Sequence, residues 1–89
     1  MEQNNNTPGY LIIKGWKLEK MLNAKGKTVR DFADALDIKM IEAYEILSGK
    51  KVGLEIARRF INHYGADYAN RYIDWTSMGM DEKSQLLKT

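Results

Sequence analysis

Between Lys14 and Trp75 the apolar residues recur at three- and four-residue spacing, but no run lasts long. Gly26, Asp37-Ile38, Ser48-Gly49 and Gly65 interrupt the pattern in turn. Residues three and four apart share one face of a helix, and Gly or a left-handed Asp lets the backbone leave it. The chain is thereby held to short helices with one apolar face each, and such helices persist only by packing on one another. The expectation is an all-α fold, a compact bundle of about five short helices over residues 10–76. A flexible N-terminal tail over 1–9 and a C-terminal tail over 77–89, which frays or adds one turn, flank it.

The first helix follows Lys14, with Trp16, Leu18, Met21 and Leu22 in its apolar pattern and Gly26 at its end. Before it, "YLIIK" reads equally as a strand or a first helical turn, and Thr7-Pro8 as a turn or helix start. Thr28 fits the N-cap of a second helix. Its hydroxyl can take an orphan backbone N–H, with Asp31 three residues on as the acid of a capping box. Phe32, Ala33 and Leu36 give that helix its inner face, and Ala43, Ile46 and Leu47 do the same for a third. "GLEIARRFINHYG" makes a fourth around Leu54, Ala57, Phe60, Ile61 and Tyr64. Asp67 is placed to cap a fifth, "YANRYIDW", striped by Tyr68, Tyr72 and Trp75. The expected core includes Ala33, Leu36, Ile38, Ala43, Ile46, Leu54, Phe60 and Ile61.

Composition removes several classes of function. There is no Cys, so disulfides and thiolate metal sites are excluded, and the chain suits a reducing cytoplasm. No apolar run approaches the length of a membrane span. One His, no Gly-rich phosphate loop and no carboxylate pair in an apolar setting leave catalysis without machinery, and no cofactor is implied. Asp31, Asp34 and Asp37 fit the acidic start of a helix rather than a metal site, and His63 a helix end. The net charge of +2 is small but uneven. Lys14 to Lys27 holds five Lys against one Glu, whereas Thr28 to Ile38 holds Arg30 against three Asp. A Lys-rich helix is either a solvated face or a phosphate-binding one.

The segment "TVRDFADALDIKMIEAYEILSGKK" resembles the helix-turn-helix signature of the lambda-repressor/Cro-like family, also called the xenobiotic-response-element family. Thr28 takes the capping position, Phe32 and Leu36 the apolar ones and Ala33 the small one. Ile38 takes the plug of the turn, Ala43 and Ile46 the inward pair, and Gly49-Lys50 the ending. With "KLEKMLNAKGKT" and "GLEIARRFINHYGAD" on either side, the resemblance covers Lys17 to Ala66. It implies a lambda-repressor-like DNA-binding fold and a small transcriptional regulator of phage or mobile-element type that occludes a promoter. The third helix would enter the major groove of double-stranded DNA. Lys39, Met40, Ile41, Tyr44 and Glu45 would then read bases, and Lys27, Thr28, Arg30, Lys50 and Lys51 would hold phosphates.

The departures from that signature fall on the reading face. Val29 stands where the family usually has Gln, and Asp37 where it has Gly. The third helix offers Met40, Ile41 and Tyr44 with Glu42 and Glu45, and no Arg or Gln for a bidentate base contact. An alternative is a degenerate helix-turn-helix module that binds another protein through Met40, Ile41 and Tyr44. Tyr68, Tyr72 and Trp75 either pack on the bundle or form the seam of a homodimer.

Overall fold

The computed structural model describes residues 9–76 and 78–88. Thr7-Pro8, and all of the expected N-terminal tail except Gly9, lie outside them. The described chain runs β1 (Tyr10–Ile13), α1 (Gly15–Ala24), α2 (Val29–Leu36), α3 (Met40–Leu47), β2 (Lys51–Gly53), α4 (Leu54–Tyr64), α5 (Ala66–Tyr72), β3 (Ile73–Asp74) and α6 (Met80–Leu87). It is mostly helical, but the expectation of a purely α fold is corrected. Among the described residues six helices accompany a small antiparallel sheet of order β2-β1-β3.

β1 settles the ambiguity of "YLII". Leu11 and Ile13 are fully buried while Tyr10 and Ile12 are half-buried, the alternation of a strand with one face on the core. Leu11 pairs with Val52 and Ile13 with Ile73, and all four are buried. The sheet thus ties the segment before α1 to the link between α3 and α4 and to the chain after α5. Ile73 leaves the expected fifth helix to do so, and Trp75 lies beyond the helix end. Asp67 sits in the first turn of α5; the cap position is Gly65, with no side-chain hydrogen bond.

The helical expectations hold at the cap of α2 and for six of the eight expected core residues. Thr28 and Asp31 form the capping box at the start of α2. Phe32 and Phe60 are fully buried and meet edge-on at 6.5 Å between ring centres, with Tyr64 stacked on Phe32. Ala33, Leu36, Ala43, Ile46 and Ile61 join them, while Ile38 and Leu54 are only half-buried at the core's margin. Leu47 is also half-buried. Within the span read as a C-terminal tail, residues 80–87 form α6, which buries Leu86. No helix of the described residues is long and apolar enough to cross a membrane.

Candidate nucleic-acid interface

The geometry around α3 begins with how α2 stops. Asp37 takes the left-handed conformation at φ 54°, and the Ile38 N–H returns to the Ala33 carbonyl at 3.0 Å. That closes α2 as a left-handed cap does and leaves a turn of Asp37, Ile38 and Lys39 before α3. Arg59 of α4 reaches over this turn. Its Nη1 donates to the carbonyls of Leu36 at 3.3 Å and Asp37 at 2.8 Å, while Nη2 pairs with Glu55 at 3.1 Å. A cation here satisfies carbonyls that the end of α2 leaves open and meets the negative end of its dipole. Sequence reasoning missed Arg59. The Glu55–Arg59 spacing was visible, but its reach to another helix was not.

The far end of α3 is fixed by close approach. Gly15 is buried against the backbone of Leu47, where a Cβ would overlap the Leu47 carbonyl oxygen. α1 therefore starts in backbone contact with the last residue of α3. Trp16, written into the apolar pattern of α1, faces outward and is 66% exposed. It lines a groove of about 310 Å³ with Leu47, Ser48 and Gly49, and so stands beside the C-terminal end of α3.

Between these two anchors the outer face of α3 is open. Ile41 is 66% and Tyr44 57% exposed, and Lys39 and Glu45 are exposed beside them. Met40 departs from its expected place among the readers, because it is half-buried and packs on the core. Glu42 turns back so that its Oε1 accepts from the Lys39 N–H at 2.9 Å. Glu45 pairs with Lys50 at 3.7 Å, and the Ser48 hydroxyl donates to the Glu45 carbonyl at 2.8 Å. The two acids that would repel a polyanion are thus each held by a donor of this chain.

The expected phosphate residues divide. Lys27 and Arg30 are exposed at the start of α2, with no ion pair to either among the described residues. Lys50 is shared with Glu45, and the Lys51 ammonium lies 4.3 Å from the centre of the Tyr10 ring. The Thr28 hydroxyl is already occupied. It accepts from the Asp31 N–H at 3.2 Å and donates to Asp31 Oδ2 at 3.1 Å. The bond from the Thr28 backbone N–H, the Thr28 hydroxyl and nearby Lys27 together hold the Asp31 carboxyl below its ordinary pKa.

Tyr68, Tyr72 and Trp75 have partners within the chain. Tyr68 stacks parallel to Tyr64 at 5.7 Å, Tyr72 lies 5.7 Å from Tyr68, and Trp75 Nε1 donates to the Ala69 carbonyl at 3.2 Å. All three are half-buried, which favours packing on the bundle over a free seam. His63 is exposed, with its ring edge-on to Tyr64 at 4.6 Å. Burial holds the Tyr64 hydroxyl above its ordinary pKa, with Tyr68 and Asp31 adding to the effect.

Comparison with protein-family models, with curated proteins and with solved structures finds no match.

Proposed function

We propose that this chain is a small DNA-binding transcriptional regulator of the helix-turn-helix kind, similar over α2 and α3 to the lambda-repressor/Cro-like family. In this reading α3 lies in the major groove, and Ile41, Tyr44 and Lys39 face base edges. Lys27 and Arg30 at one side, with Lys50 and Lys51 at the other, meet the flanking phosphates. The protein acts in the cytoplasm by covering a promoter, with no catalytic step. The observation that carries the reading is one open helix face, with Arg59 on the turn before it, Gly15 against its last residue, and exposed Lys39, Lys50 and Lys51 in the segments that adjoin it. Base recognition needs such bracing, because phosphate contacts position a reader but do not specify a sequence.

A second reading has its own support. Ile41 and Tyr44 on α3, and Trp16 beside the C-terminal end of that helix, are large apolar side chains left exposed, as on a surface that binds another protein. Selection from a pool of random DNA duplexes separates the two. The DNA reading expects the wild type to enrich one sequence and Ile41→Ala or Tyr44→Ala to enrich a different one or none. A wild type that enriches nothing rejects it in favour of the protein partner.

A further inference from the structure

We infer that the α3 face recognises thymine, through the C5-methyl groups that line the major groove, and does so with Ile41 and Tyr44. This rests on the DNA reading above and names its substrate: a duplex site with thymine at the positions under these two side chains.

Each base asks for a different partner in the major groove. Guanine presents two acceptors and is read by a bidentate donor, and adenine is read by a side-chain amide. α3, MIEAYEIL, contains no Arg, Lys, Asn or Gln, and Lys39 at its cap is a single flexible ammonium. Cytosine presents a donor that a carboxylate can accept. Glu42, however, is folded back on the Lys39 N–H, and Glu45 lies against Lys50. The methyl of thymine remains, the one apolar group that a base pair shows in this groove. It matches the two most exposed apolar side chains of the helix, Ile41 and Tyr44.

Spacing agrees. Ile41 and Tyr44 are three residues apart on one face, which sets them about 4.5 Å apart along the helix axis. Successive bases on one strand rise about 3.4 Å, so the pair meets neighbouring base steps. Water leaves both partners when a methyl packs on a side chain, which favours contact without any hydrogen bond. The exposed cations that adjoin α3 in the chain, Lys39, Lys50 and Lys51, complement the phosphates that border such a groove.

The test uses the duplex enriched from a random pool by the wild type. Each thymine in it is replaced singly by deoxyuridine, which removes the methyl and leaves every hydrogen-bonding group in place. Affinity is read by fluorescence anisotropy. The expected result is a loss of about fourfold at one or two positions, the worth of one buried methylene-sized group. At one such position the loss should vanish in Ile41→Ala, and at another in Tyr44→Ala. Both side chains are exposed, so neither change threatens the fold. If the wild type binds its duplex but tolerates deoxyuridine everywhere, thymine recognition is overturned and the DNA reading stands. A deoxyuridine loss that persists unchanged in both variants also overturns it, because the methyl would then act through DNA shape. If no duplex is enriched at all, both the inference and the reading beneath it fail.

Discussion

Arg59 donates from Nη1 to the Asp37 carbonyl at 2.8 Å, so a side chain of α4 holds the turn that aims α3. Asp37 is the described non-glycine residue with a positive φ, and its left-handed backbone turns that carbonyl away from the α2 ladder. Arg59 is itself steadied by Glu55 one helical turn earlier. The contact joins α4 to the end of α2 and to the turn that precedes the candidate reading helix.

Removing the guanidinium should loosen the turn. Hydrogen bonds to charged groups contribute about 1.5–3 kcal/mol, and partial exposure of Arg59 puts this one near the bottom of that range. Arg59→Ala is expected to lower the urea midpoint accordingly and to raise amide exchange at Ile38 and Lys39. An unchanged midpoint and exchange pattern would show the contact to be idle.

Gly15→Ala places a methyl into the Leu47 carbonyl, and backbone cannot move aside as a flexible side chain does. α1 and α3 must then separate. Overpacking of this kind costs about 1–3 kcal/mol, measurable by denaturant unfolding. Because Leu47 ends α3, the variant should also bind DNA more weakly than Trp16→Ala, which leaves that contact intact.

Phe60→Ala tests the core beneath α2 and α4. Phe60 is fully buried against Phe32 and Tyr64, so the change should cost about 3–5 kcal/mol. A loss below about 1 kcal/mol would mean that the aromatic cluster is not the centre of the fold.

The capping box gives stability a dependence on pH. The folded-state pKa of Asp31 is depressed below the ordinary 3.8 by its bonds to Thr28, and that of Asp74 by its bonds to Thr76. Each contribution is fully present above the ordinary value and is lost as pH falls through the depressed one. Tyr64 acts at the other end. Its pKa is raised above 10.0, chiefly by burial, so its contribution is present below that value and lost as pH rises through the raised one. Asp31→Asn should flatten the acid limb of a stability–pH profile and, by removing a charge that adds to the Tyr64 shift, should soften the alkaline limb to a smaller extent. Thr28→Ala should cost about 1 kcal/mol at neutral pH.

The helices were legible because their signals are local. Thr28, Asp31 and Asp37 announce the two ends of α2 within a few residues, and Ala33 and Ala43 mark inner faces by their place in the pattern. The sheet was not legible, because Lys51–Gly53 and Ile73–Asp74 are too short to show alternation and acquire meaning only by pairing with Tyr10–Ile13. Trp16 and Met40 exchanged roles. Helical spacing alone did not reveal that Gly15 would press on Leu47 and leave Trp16 outside, or that Met40 would lean on the core. For the candidate interface, Ile41, Tyr44 and the surrounding cations were visible as residue types. The internal pairing of Glu42 and Glu45, and the brace from Arg59, required the folded chain.

Duplex DNA is expected to lie on α3 with its phosphates on Lys27, Arg30, Lys50 and Lys51. The most direct measurement is the salt dependence of duplex binding, for the wild type and for a variant with Lys27, Arg30, Lys50 and Lys51 changed to Ala. Each phosphate neutralised contributes about −0.9 to the slope of log affinity against log salt. A steep slope is expected for the wild type, flattening by roughly 0.9 for each cation that contacts a phosphate, with affinity lowered for all sequences alike. A slope near zero, or a slope and affinity that the four changes leave untouched, would contradict it.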